Sequence, residues 1–167
     1  YSKVAAAGMW QFMPATARNY MRVDHVVDAR LDPFIATEGA AKLLQRNYDV
    51  IGTWPLALTA YNHGTTGMVR AANAVGTKDI GTIVQQYRGP SFGFASRNFY
   101  ASFLAALEVD RNAQRYFGSI QLDAPTAYDT VVLDDYVPAR ALAQSAGISL
   151  DQLRQHNPAL RDPIWSG

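Results

Sequence analysis

The spacing of apolar residues divides the chain into two regions of different period. Over the first two-thirds the period is helical. After Asp32-Pro33, an acid that can cap a helix and a proline suited to its first position, Ala36, Ala40, Leu43 and Leu44 recur at i, i+4, i+7 and i+8. Pro14 suits the first turn of a short helix running from Ala15 to Met21. Pro55 opens an apolar helix through Leu56-Ala57-Leu58-Thr59-Ala60-Tyr61, which Gly64 stops. Thr65 or Thr66 restarts the chain, with Met68, Val69, Ala72 and Val75 turned inward as far as Gly76. Thr77 then caps a helix carrying Ile80, Ile83, Val84 and Tyr87. Gly89-Pro90-Ser91-Phe92-Gly93-Phe94 reads as a loop with exposed aromatics. The longest helix is predicted from about Ser96 to Phe117, with Tyr100, Phe103, Leu104 and Leu107 on one face.

The period changes after Gly118. Ile120-Gln121-Leu122 and Thr130-Val131-Val132-Leu133 read as short strands, separated by Asp123-Ala124-Pro125-Thr126. Two short amphipathic helices follow, one over Ala139–Ala146 closed by Gly147, the other from Ser149 as N-cap to Asn157-Pro158. The pattern predicts a mainly α fold: a helical domain over 1–118, a linker over 119–128, and a small α+β module over 129–167 that stops at Gly167 before a final strand. Tyr1-Ser2-Lys3-Val4-Ala5-Ala6-Ala7-Gly8 lacks an initiator Met and the form of a signal peptide, so the chain reads as a piece of a longer protein.

Composition narrows the function classes. The chain has 167 residues, 49% hydrophobic, enough for a self-standing core. Lys+Arg 15 against Asp+Glu 14 gives a net charge of +1, which supplies no electrostatic footprint for nucleic acid. The absence of cysteine excludes disulfides, thiol catalysis and thiolate metal sites. No apolar run approaches the ~20 residues of a membrane-spanning helix.

Few side chains suggest chemistry. The glutamates are Glu38 and Glu108. Glu38 falls in the first turn of its helix, where the macrodipole keeps a carboxylate ionised, and Glu108 fits a solvated face. Asp24, Asp28 and Asp32 recur every fourth residue but lack calcium-loop spacing, so ion pairs with Arg22 and Arg30 and a capping role for Asp32 account for them. His25, His63 and His156 form no metal-ligand pattern. Two clusters stand apart. Gly8-Met9-Trp10-Gln11-Phe12-Met13-Pro14 sets large apolar groups around one amide at the mouth of a helix. Ala60-Tyr61-Asn62-His63-Gly64 ends an apolar helix with three hydrogen-bonding side chains in a row. Amides and phenols beside aromatic faces suit sugars, whereas packing for Trp10 and Tyr61 and helix termination by Asn62 and Gly64 suit the same residues equally well.

Those clusters, with Asp28-x-Arg30-x-Asp32-Pro33, Trp54-x-Leu56-Ala57-Leu58-x-Ala60-Tyr61-Asn62-x-Gly64, Arg97-Asn98-Phe99-Tyr100 and Phe103-Leu104-Ala105-Ala106-Leu107, closely resemble the soluble lytic transglycosylase domain. Their order and spacing are most similar to the membrane-bound lytic murein transglycosylase branch, and the likeness covers nearly all of 1–118. Ala141-Leu142-Ala143-x-x-Ala146-Gly147-Ile148-Ser149-x-x-x-Leu153 and Asn157-Pro158-x-Leu160 resemble a peptidoglycan-binding LysM module, although Asp134-Asp135-Tyr136-Val137-Pro138 replaces its usual Gly-Asp-Thr-Leu start.

The resemblance implies a lysozyme-like α fold, peptidoglycan glycan strands as partner, and non-hydrolytic cleavage between N-acetylmuramic acid and N-acetylglucosamine to give 1,6-anhydro ends. It implies no cofactor and no metal, a monomer, and a place in the periplasm or at the outer membrane. The family's single catalytic glutamate precedes the Gly-x-x-Gln motif, which places it upstream of Tyr1, and neither Glu38 nor Glu108 matches it. By motif, Ser2 aligns with the serine that contacts the catalytic carboxyl and Gln11 with the amide that holds substrate. Tyr61 and Asn62 align with the Ala-Tyr-Asn motif lining the cleft, and Tyr100 with its last tyrosine, while Trp10 stands beside Gln11 as a substrate contact. A non-catalytic peptidoglycan-binding module is the alternative.

Overall fold

The computed structural model describes residues 2–125 and 127–166, so Tyr1, Thr126 (the end of the separator between the two expected strands) and Gly167 lie outside the described residues. It is mainly helical. The chain groups into two compact units, Tyr1–Lys42 with Tyr128–Gly167, and Leu43–Ala127.

In the first of these units, α1 (Pro14–Ala17) is one turn long and ends earlier than the spacing predicts. A 3-10 turn over Ala29–Leu31 leads into α2 (Pro33–Ile51), whose later turns belong to the other unit. Asp32 caps α2 as expected, its Oδ1 accepting from the backbone N–H groups of Phe34 and Ile35. Ala36, Gly39 and Ala40 form the buried stripe of the early turns. A methyl group at Gly39 would overlap the end of the Met21 side chain, so the missing side chain there makes room for that methionine.

The C-terminal residues of this unit form α8 (Ala139–Ser145), α9 (Leu150–Gln155) and α10 (Asp162–Trp165). Ser149 caps α9 as predicted, in a capping box with Gln152. Residues 157–161 lie along 24–28: Val27 and Leu160 make an antiparallel bridge, Asp28 N–H donates to Ala159 O, and Arg161 N–H donates to Val26 O.

The expected strands Ile120–Leu122 and Thr130–Leu133 do not form. Among the described residues of both segments the backbone has no ladder partner, and Leu122 and Val132 are 85% and 82% exposed. Apolar alternation offers a strand a face, but a strand exists only where another pairs with its N–H and C=O groups. Among the described residues over 129–166 the helices α8, α9 and α10 are the regular elements, with no α+β module shown.

In the other unit, α3 (Trp54–His63), α4 (Thr65–Val75), α5 (Ile80–Gln86) and α6 (Phe94–Arg111) follow one another closely, and α7 (Ala113–Phe117) continues after a break at Asn112. Gly64 ends α3 at φ 85° and Gly76 ends α4 at φ 76°, left-handed positions where a side chain would be strained. Asp79, not Thr77, caps α5, accepting from Thr82 N–H; Thr77 sits two residues earlier and holds the Asp79 N–H. The core gathers Ile51, Leu56, Ala60, Met68, Ala71, Ala72, Ile83 and Phe92. Phe92 was expected to be an exposed loop aromatic, yet it is 2% exposed, while Phe94 at the start of α6 is 85% exposed. Along α6 the face carrying Phe103 and Leu104 stays open to solvent: helical spacing puts residues on one face without specifying what covers it.

Asn47 is fully buried in this unit, its Nδ2 donating to Ala57 O and its Oδ1 accepting from Thr65 Oγ1, so one amide holds α2, α3 and α4 together. Replacing fully buried Leu56 with Ala should cost about 2–5 kcal/mol, whereas Phe94→Ala should stay within ~0.5 kcal/mol; urea unfolding followed by circular dichroism measures both.

Candidate functional site

Residues 5–12 fold into a tight loop. Ala7 and Phe12 pair as an antiparallel bridge, with both N–H···O bonds at 3.2 Å, leaving Gly8-Met9-Trp10-Gln11 as the turn between them. Three residues of the loop have positive φ: Ala5 at 63°, Gly8 at 72° and Gln11 at 50°. For Ala5 and Gln11 the Cβ makes this conformation costly, about 1–2 kcal/mol each, so surrounding contacts must hold it.

Those contacts come mainly from Arg30, which is 4% exposed. Its Nε and Nη2 donate to the two carboxylate oxygens of Asp28, both at 2.8 Å, in a bidentate pair. Its Nη1 donates to Ala5 O at 2.7 Å and Phe12 O at 2.9 Å, the two ends of the loop. A methyl group at Gly8 would overlap the Arg30 carbonyl oxygen, so the loop backbone lies directly against this residue. Ser2 supports the entry to the loop, its Oγ accepting from the N–H groups of Ala6 at 2.9 Å and Val4 at 3.3 Å.

The site residues expected here are exposed to different degrees. Gln11 is exposed, its Nε2 folded back onto Gly8 O at 2.8 Å. Trp10 is half-buried, and its indole N–H donates to Thr37 Oγ1 at 2.8 Å, which anchors the ring to the first turns of α2. Met9 beside it is 72% exposed.

The second cluster closes α3 in the other unit. Tyr61 is half-buried, and burial pushes its phenol up to about 12, so at neutral pH it is a protonated hydroxyl. Asn62 is exposed, and its Oδ1 accepts from Ser96 Oγ at 2.9 Å. His63 packs edge-on against Phe92, with ring centres 5.0 Å apart. Burial first, and then the Arg70 charge, hold its imidazole below the usual value, against an opposing hydrogen bond with the Ser91 backbone. His63 is therefore neutral at pH 7. Tyr100, on α6, stacks with Phe103 at 6.4 Å between centroids.

Arg97 fixes the approach to α6, donating to the carbonyls of Phe92 at 3.1 Å, Val84 at 2.6 Å and Tyr87 at 2.7 Å. Sequence reasoning proposed Ser2, Trp10, Gln11, Tyr61, Asn62 and Tyr100 as site residues and gave no role to Ser96 or to the backbone contacts of Arg30 and Arg97. Their partners are carbonyls or side chains remote in sequence, which no local spacing reveals.

Glu38 falls in the second turn of α2, not in the first as the spacing suggested, so a neighbouring cation and not the helix start governs its carboxylate. Glu38 is exposed and bound to Lys42 at 2.6 Å, and that hydrogen bond and charge hold its carboxyl below the usual range, the opposite of what a proton donor to a leaving group needs. Glu108 is exposed on α6. Asp24 pairs with Arg22 at 2.6 Å, and Asp28 is taken by Arg30.

Residues 1–84 match the family model described as the transglycosylase SLT domain. The chain belongs to the SLT transglycosylase family. Two curated relatives, each a membrane-bound lytic murein transglycosylase D, one from Escherichia coli strain K12 and one from Escherichia coli O6:H1, are 30% identical over 93% of this chain. The chain spans 34% of the length of each. Among its described residues no helix is long and apolar enough to cross a membrane.

Within the SLT match, Arg30 is the group on which the Gln11 turn most depends. Arg30→Ala would take the bidentate guanidinium away from the buried Asp28 carboxylate and release both ends of the loop. It should cost about 3–5 kcal/mol in urea unfolding, while the exposed pair partner in Lys42→Ala should change stability by less than ~1 kcal/mol.

Proposed function

We propose that this chain carries glycan-binding residues of a peptidoglycan lytic transglycosylase, which cleaves the β-1,4 bond between N-acetylmuramic acid and N-acetylglucosamine without water and leaves 1,6-anhydro ends. The observation that carries the reading is Gln11: an exposed amide at φ 50°, in a turn pinned at both ends by a buried arginine. A strained, over-determined backbone under an exposed polar side chain points to a residue held for a ligand.

In this reading a carboxylic acid protonates the glycosidic oxygen and the N-acetylglucosamine portion leaves with a 4-hydroxyl. The resulting carboxylate takes the proton of the muramoyl C6 hydroxyl, whose oxygen bonds to C1. The substrate supplies its own nucleophile, so one carboxyl serves as acid and then as base. Neither Glu38 nor Glu108 has the surroundings for that role, and the reading assigns it to sequence preceding Tyr1 in the family's motif order.

The chain's own residues bind and orient. Gln11 and Trp10 offer an amide and an indole face, and Ser2 steadies the loop that carries them. Tyr61, protonated at neutral pH, offers a phenolic donor without competing for the proton in transit. Asn62 and Tyr100 are the remaining proposed contacts with the glycan. The likeness of 129–167 to a LysM module supports a second contact with peptidoglycan, and the substrate supports a cell-envelope location, periplasmic or at the outer membrane.

The test is product analysis. The protein extended by its native preceding residues is incubated with purified peptidoglycan, and soluble muropeptides are weighed by mass spectrometry. Muropeptides with 1,6-anhydro ends are expected, and the 167-residue chain should be lower by a factor of about 10² to 10⁴, the usual contribution of a general acid. A folded, extended protein that binds sacculi and releases nothing would instead favour the non-catalytic peptidoglycan-binding reading.

A further inference from the structure

Three polar side chains, Asn62 and His63 at the end of α3 and Ser96 at the start of α6, form a short run in which the proposed function gives a role to Asn62 alone. Ser96, in the first turn of α6, is 5% exposed. Its Oγ lies 2.9 Å from Asn62 Oδ1, to which it donates, and 3.3 Å from His63 Nδ1. A hydroxyl has one proton and two lone pairs. The shorter contact puts the proton on the Asn62 side, and Ser96 Oγ stands between His63 Nδ1 and Asn62 Oδ1 in one run of side chains.

The rest of the packing holds this run in place. A methyl group at Gly67 would come 2.7 Å from His63 Cδ2, so α4 leaves room for the ring only because residue 67 is glycine. Phe92 covers the ring edge-on, and Arg97 binds the Phe92 carbonyl. The hydroxyl therefore meets Asn62 from a fixed position.

We infer that Ser96 is a positioning residue that turns the Asn62 carboxamide so that its NH2 group, and not its carbonyl, meets the ligand. Asn62 is exposed, and among the described residues nothing accepts from its Nδ2. An outward NH2 selects an acceptor oxygen. On a peptidoglycan strand that is the carbonyl of an N-acetyl group or a ring hydroxyl oxygen, and both occur on a neutral N-acetylglucosamine oligomer. The inference rests on the glycan-binding reading above and adds to it the direction of one hydrogen bond.

The probe is chitotetraose, titrated into the 15N-labelled 167-residue chain and followed by calorimetry and by the side-chain amide signals of Asn62. The unmodified chain should bind, with the Asn62 NH2 pair shifting as sugar is added. Ser96→Ala should weaken binding about fivefold, the effect of one net hydrogen bond, and should move the Asn62 pair towards the position of a free amide while other backbone signals stay put. Asn62→Asp keeps an acceptor for Ser96 but has no NH2, so it should bind as poorly as Asn62→Ala. The Asp variant changes an exposed residue and tests the donor direction whether or not Ser96→Ala folds. If Asn62→Asp binds like the unmodified chain, or Ser96→Ala leaves both affinity and the Asn62 signals unchanged, the inference is overturned and the glycan reading stands. If the unmodified chain does not bind chitotetraose at all, the glycan reading fails and this inference with it.

Discussion

The pairing of Arg30 with Asp28 is the interaction on which the Gln11 turn depends. Both groups are almost wholly removed from water, at 4% and 1% exposure, a state that is costly unless nearly every polar atom finds a partner. The bidentate contact neutralises the charge and sets the guanidinium plane, which leaves Nη1 directed at Ala5 O and Phe12 O. A lysine could pair with the carboxylate but could not also span two carbonyls in that plane. The loop it closes contains two non-glycine residues in left-handed conformation, which a free eight-residue segment would not keep. Asp28 is itself tied by its backbone N–H to Ala159, so residues 157–161 form part of the support for the same loop.

The same physical device recurs in the other unit. Helix ends and sharp turns leave backbone carbonyls and N–H groups without helical partners, and buried side chains from neighbouring elements supply them. Arg97 does this for Val84, Tyr87 and Phe92, and Asn47 adds a cross-link to α3 through the Ala57 carbonyl. Each uses one side chain to fix several segments, so that the exposed residues at the end of α3 sit on a rigid support.

The sequence was most informative where the determinant is local. The Asp32 cap, the stop at Gly64, the left-handed Gly76 and the Ser149 cap depend on residues within four positions of each other, and the chain has all of them. The placement of Thr77 as a cap missed by two residues because Asp79 competes for the same helix start with a better acceptor. The strands near 120 and 130 were misread because alternation reports only a face, and the missing ladder partner is a fact about the whole chain. Phe92 and Phe94 are separated by one glycine, and no local rule tells which of them turns into the core. At the candidate site, motif resemblance brought out Gln11, Tyr61 and Asn62, the residues exposed at turns and helix ends. Arg30 appeared only as an ion-pair partner, because its other partners are main-chain carbonyls at positions any residue could fill. Ser96 was not read as part of the site, since its partner lies 34 residues away.

The central claim is that the loop holds Gln11 in a strained conformation for the sake of a ligand. The most direct measurement compares Gln11→Gly with the unmodified chain for both urea stability and sedimentation with purified sacculi. Glycine adopts φ 50° without a Cβ penalty, so relief of strain offsets the lost contact with Gly8. The account predicts stability equal to or above that of the unmodified chain, together with clearly weaker sacculus binding. A variant that loses stability and binds sacculi as before would show that Gln11 serves the fold alone, and would contradict it.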